Sequence, residues 1–423
     1  MKKILWAAIA LTGLVACNST NDNGVPLPPG YPRQLTEEQK DSLYADSIMK
    51  LSQSTVLHAH TRGNGFNVVI MGDGYTKADI ESQKFRNASL AAMDALFEQE
   101  PMKSLQDYVD VIEVQVPSDH SGVDYTKRRT GLRTSLSRGQ DSNVYGDSIT
   151  ILNCAVNAIS KRYNATSTQE LTDRFDQTLI ITLLNTEVYK GVTLLGINTD
   201  APTEIPKGYS LSYVPAYAKV GNVNVFPYLI RHEGVGHGIG KLADEYSYDN
   251  YGTPTGEAIN SITKYQQYGL YQNITYKANA TTHNATFDIE SSSWLYPFTQ
   301  RSEYMSEDLK WYVGGANYPV GFCRLGYHST MNETFKDNNG SYDPNSGKFN
   351  VAARAMIYKR IMRAASSTWQ WNFSAFTSFD AAARQSYATG NARGTVNTAV
   401  KSVNVPALAA PKVVKMPVSR IIK

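Results

Sequence analysis

Residues 231–246 read Arg-His-Glu-Gly-Val-Gly-His-Gly-Ile-Gly-Lys-Leu-Ala-Asp-Glu-Tyr and hold two of the chain's seven histidines. Two imidazoles, a carboxylate directly after the first and an Asp-Glu pair close behind are the donor set of a catalytic zinc site holding one ion. His232 and His237 would be ligands and Glu233 the general base. An open fourth position separates such a site from a structural one, which four protein ligands close.

The spacing is unusual. Zinc-peptidase helices carry their histidines at i and i+4, with Glu after the first. Here they stand at i and i+5, which on a regular helix sets them roughly 140° apart rather than about 40°. Both can face one metal only if the helix swells, as in a single-turn π-bulge. Gly234 and Gly236 lie where such a distortion would fall, and glycine tolerates it best. The third ligand is Asp244 or Glu245. A continuing helix puts Asp244 on the face of His237, two turns on. A helix that ends at Gly240 lets the chain fold back and either carboxylate reach the ion. Asp244 is the preferred ligand, and the other carboxylate would orient an imidazole. The plain alternative, an amphipathic core helix with hydrogen-bonded histidines, accounts less well for His, Glu, His and Asp-Glu in one short segment.

The elements that must hold this segment are legible in outline. Phe66–Met71 is a β-branched apolar run, hence a buried strand, followed by a Gly72-Asp73-Gly74 turn and helical spacing from Ala78 to Phe97. The turn lacks the Lys and glycine spacing of a phosphate loop and reads as structural. Val109–Val116 alternates as a strand, and 117–124 is a loop carrying a surface His120. Residues 126–150 are polar, with Lys127, Arg128, Arg129, Arg133 and Arg138, and read as a solvated loop. Ser148–Ile159 is a predicted helix, Thr178–Leu184 the strongest buried strand, and Tyr209–Val214 an edge strand open to peptide addition. Residues 247–320 lack apolar period and read as long loops with minor elements beside a cleft. Phe349–Ala364 is a further helix. Strands alternating with helices imply an α/β fold.

The N-terminus reads as targeting rather than fold. Lys2 and Lys3 precede an apolar run, Ile4–Val15, too short for a membrane span, and Leu14-Val15-Ala16-Cys17 resembles the processing site of a bacterial lipoprotein. Residues 1–17 are then a signal peptide, Cys17 the lipidated residue, and 18–64 a tether with a lead-in helix. The catalytic domain is 65–373 and the tail 374–423, whose last stretch from Val403 reads as extended or mobile. The expected location is the cell envelope, at the outer membrane or cell surface, with the lipid on Cys17 as membrane contact. A net charge of +3 gives no nucleic-acid signal, and a monomer acting on protein or peptide substrate is expected. Cys154 and Cys323, far apart in sequence, could pair or remain free thiols.

Gly72-Asp73-Gly74-Tyr75-Thr76, the loop Val116–Asp124, the block His232–Tyr246 and a turn ending in Met331 resemble, in this order, the IgA peptidase family of zinc metallopeptidases. The resemblance implies a metzincin-like α/β domain, with a mixed sheet, packed helices and an active-site helix, and endopeptidase activity. It aligns the family's zinc histidines with His232 and His237 and its catalytic Glu with Glu233. It gives Met331 the place of an apolar floor under the metal, while His328 could be a ligand, a transition-state hydrogen-bond donor or a surface residue. The extra residue before His237 departs from the commoner form, although a comparable insertion occurs in active dipeptidyl peptidases. The competing class is an inactive surface binding lipoprotein on a peptidase scaffold, and a zinc amidase of wall peptides is a third possibility.

Overall fold

The computed structural model describes residues 35–126, 130–138, 143–197, 202–326, 329–332, 348–385 and 410–414. The leader with Cys17, the cations at 127–129 and His328 lie outside the described residues.

In chain order, α1 is Glu37–Leu51, β1 Gln53–His58, β2 Phe66–Asp73, α2 Lys84–Phe97 and β3 Val109–Gln115. Then come α3 Ser148–Tyr163, β4 Thr178–Leu184, β5 Val192–Gly196, β6 Ser210–Pro215 and a π-helix at Ile230–Ile239. β7 Ile274–Tyr276, β8 Thr286–Phe287, β9 Trp311–Gly315 and β10 Tyr318–Leu325 follow, then α4 Val351–Ala365, α5 Phe373–Phe379 and β11 Lys412–Val414.

Side-chain alternation decides the layering. Successive residues of a strand face opposite ways, and β2 is buried throughout, so both of its faces must be covered. Val68 and Ile70 enter one apolar cluster with Phe85 of α2, Val235 and Ile239 of the π-helix and Ile357 of α4. Val69 and Met71 enter another with Ile48 of α1 and Ile151 and Leu152 of α3. The result is a seven-stranded sheet, ordered β1-β3-β2-β4-β6-β5-β11, between two helical layers. β2 pairs in parallel with β3 and β4, and β4 with β6. β1 and β5 run antiparallel to their neighbours β3 and β6. The expected mixed α/β architecture is therefore present.

Several expectations are corrected. β6, read as an edge, lies between β4 and β5. The edge on that side is the short β11, and β5 lies between it and β6. The 78–97 helix is two helices, because Gln83 takes φ +64° between Lys77–Glu81 and α2. Residues 247–320 are more ordered than loops: a helix, Gly256–Gln266, capped by Thr255, and β7–β10, which form a four-stranded antiparallel sheet ordered β7-β10-β9-β8. The lead-in segment supplies α1 and also β1, which pairs with β3. The tail likewise supplies α5, followed by Asp380, which accepts from Arg354 of α4 at 2.8 and 2.7 Å. Arg354 also reaches Glu307 at 2.6 Å, all three buried. Cys154 and Cys323 are buried and free.

The Gly72-Asp73-Gly74 turn is structural. Asp73, wholly buried, accepts from Ser118 Oγ at 3.2 Å, Thr130 Oγ1 at 2.6 Å and the Leu132 and Thr134 amides at 2.9 and 3.0 Å. Part of the basic segment is thereby folded in rather than solvated: Thr130, Leu132 and Thr134 are buried, and Arg133 pairs with Asp41 at 2.7 Å.

Candidate metal centre

A turn of helix at Phe226–Leu229 leads into the π-helix, whose i→i+5 bonding puts residues five apart on one face. The swelling thus extends over ten residues rather than one turn. Its last register shows in the Gly240 amide donating to Val235 O at 2.9 Å. The glycines are dictated by what the helix lies on. A Cβ on Gly236 would sit 2.2 Å from Met331 Sδ, and one on Gly238 2.5 Å from Leu179 Cδ1 of β4. At its end Lys241 takes φ +52° and the Leu242 amide donates back to Gly236 O at 3.2 Å. This reversal is a left-handed helix stop, and it carries residues 243–246 back under the histidines.

His232, His237 and Asp244 form a fully buried cluster, the group of ligand-type side chains close enough to share one ion among the described residues. The two Nε2 atoms each lie 3.2 Å from Asp244 Oδ1, and the rings meet edge to face with centroids 4.7 Å apart. His232 Nδ1 faces Thr330 O at 3.1 Å and His237 Nδ1 faces Leu242 O at 2.8 Å. A carbonyl only accepts, so both Nδ1 atoms carry the proton and both Nε2 lone pairs point at Asp244. The 3.2 Å contacts are then not hydrogen bonds. Both Nε2 atoms and both Asp244 oxygens are buried without a hydrogen-bond partner.

Four buried orphan acceptors around one point fit a cation. Zinc ligands at about 2.0–2.1 Å in tetrahedral order stand about 3.3 Å from one another, close to the spacing seen. Asp244 rather than Glu245 is the carboxylate of the cluster. Glu245 points away and accepts from Asn273 at 2.9 Å and Asn350 at 3.0 Å. Asn350 also caps α4, so Glu245 ties the returning loop to that helix and does not orient an imidazole, contrary to expectation. Backbone carbonyls do that instead.

Glu233 lies beside the cluster. Its Oε2 accepts from Thr193 Oγ1 of β5 at 2.7 Å. Its Oε1 has no partner, and Gly191 leaves the room it occupies, since a Cβ there would sit 2.7 Å away. Burial pushes Glu233 up to about 7 against the pull of His232 and Thr193. Tyr246 stacks near-parallel to His232 at 6.1 Å and Tyr228 does so at 5.5 Å. Met331, fully buried, lies against Gly236 and accepts the Glu245 amide through its carbonyl at 2.8 Å, a packing role. His120 is exposed and outside the cluster. Thr193, Gly191, Asn273 and Asn350 escaped the sequence reading. The one signal was β-strand composition at Val192–Leu195, which would have placed Thr193 on a strand.

An α/β domain with a buried His-His-Asp cluster and a neighbouring carboxylate defines a candidate metallohydrolase. The sequence model of the IgA Peptidase M64 family matches residues 56–278, over half of the 423, and the chain belongs to that family of metallopeptidases. It is accordingly a peptidase of the hydrolase class. No curated protein matches the chain.

Proposed function

We propose that the protein is a zinc-dependent endopeptidase of metzincin-like design, with His232, His237 and Asp244 as ligands and Glu233 as general base. The observation that carries this reading is the set of orphan buried acceptors converging beside a carboxylate with one free oxygen. Met331 packed under Gly236 supports the metzincin-like part. A zinc ion held there supplies Lewis acidity toward water and the scissile carbonyl. The chain's own residues do the rest. Thr193 fixes Glu233 so that Oε1 stays free to take a proton from the attacking water and pass it to the leaving amine nitrogen. Carboxyl burial suits both halves of that transfer, because the group neither holds nor rejects the proton strongly near neutrality. Tyr228 and Tyr246 hold the His232 ring from its faces.

Purified protein is expected to carry one zinc per chain and to hydrolyse casein, to lose turnover with a chelator and to regain it with added zinc. Stoichiometric zinc without turnover on broad peptide libraries would favour the binding-protein alternative.

The proposal extends to location: a lipoprotein anchored through Cys17, cleaving extracellular or periplasmic protein. Its support is the basic start, the short apolar run and the Ala16-Cys17 junction. Cys17→Ser should abolish palmitate labelling and move the protein from the membrane to the soluble fraction. Unchanged membrane retention and labelling would contradict it.

A further inference from the structure

The sheet edge beside the metal centre is covered by the chain's own C-terminal segment. β11 pairs in parallel with β5, Lys412 opposite Leu194, Val413 opposite Leu195 and Val414 opposite Gly196. β5 is also the strand that serves the site, through Thr193 on Glu233 at 2.7 Å, and Gly191, just before it, lies beside the free oxygen. In parallel register the residues before Lys412 run back toward that end of β5. Ala410, Pro411 and Val413 line a cavity of about 210 Å³ together with Asp244, Tyr271 and Asn317.

We propose that residues 410–414 are a strap, bound in cis to a peptide-accepting edge, that an extended substrate must displace to lie beside Asp244 and Glu233; this rests on the peptidase reading above. An edge strand offers a row of backbone donors and acceptors to any extended chain, and here the tail occupies it. The strap is built to be displaced. It makes three residue pairs, none of its residues is fully buried and Lys412 is exposed. The entropy of ordering so short a segment nearly offsets its hydrogen bonds. Pro411 has no N–H to add to the ladder and keeps it from lengthening toward the site. Lys412 Nζ donates to Asn143 Oδ1, which sets the strap's position at its start.

The test compares the full chain with one lacking residues 410–423, and with a Leu194→Cys, Lys412→Cys double variant. Neighbouring strands lie about 4.7–4.9 Å apart, within disulfide reach. Truncation should speed amide exchange in Val192–Gly196 and raise kcat/KM for fluorogenic octapeptides roughly 3–10-fold, as the open form becomes fully populated. The oxidised double variant should lose casein turnover and recover it on reduction. Unchanged exchange in β5, an unchanged or lowered kcat/KM on truncation, or full turnover by the oxidised variant each overturns the strap. Absence of turnover in every form would instead contradict the peptidase reading, and the exchange comparison would still decide whether the strap is seated.

Discussion

Glu233→Gln is expected to lower kcat by about 10²–10⁴-fold, the range general acid–base catalysis supplies, with zinc content and thermal midpoint near wild type. The Glu233 carboxylate makes no hydrogen bond with any of the three ligand atoms. The amide oxygen can still accept from Thr193, so the side chain stays in place, but it no longer takes a proton. Retained packing makes the comparison sharp, because Glu233 is wholly buried and a shorter replacement would leave a hole. Single-turnover hydrolysis of a defined peptide, with metal analysis of the same samples, is the check. Turnover within a few-fold of wild type would assign the proton transfer elsewhere.

The second large effect separates neighbouring carboxylates. Asp244→Asn should weaken zinc binding by more than the roughly 10–100-fold typical of losing an outer partner, and activity should fall with metal occupancy. Glu245→Gln should keep zinc at wild-type stoichiometry, since Glu245 faces Asn273 and Asn350 rather than the imidazoles. The metal-free Asp244→Asn protein should melt no lower than metal-free wild type, because the substitution removes a buried charge that no hydrogen bond satisfies. Competitive chelator titration and thermal unfolding read these out. Equal zinc loss in both variants would mean that the loop's position, not direct ligation, controls the metal.

His232, Glu233 and His237 were legible because chemistry is written in residue type and spacing, and the i+5 interval forced the idea of a swollen helix. Its full extent was not legible. Spacing gives the phase at two points, whereas ten residues of π geometry follow from Met331 and Leu179 pressing on Gly236 and Gly238 across the fold. The groups that set the imidazole tautomers are carbonyls of Leu242 and Thr330, and backbone carries no sequence signature. β2 and β4 were evident from long apolar runs buried on both faces. β5 was hidden because five residues after Tyr189-Lys190-Gly191 are too few to show a period. β11 is shorter still and lies in a tail whose composition points to disorder. The β7–β10 region has the same cause: glycine-rich β9 and β10 include positive-φ glycines 314, 315 and 321, which interrupt the alternation a strand would otherwise show.

The central claim is that two imidazoles five residues apart and the Asp244 carboxylate hold one zinc. X-ray absorption at the zinc edge on the purified full-length protein tests it most directly. The account predicts a four-coordinate shell of N and O atoms only, at about 2.0–2.2 Å, with outer scattering from two imidazoles that falls to one in His237→Ala. Sulfur in the shell, an all-oxygen six-coordinate shell, or an imidazole signal unchanged by that substitution would contradict it.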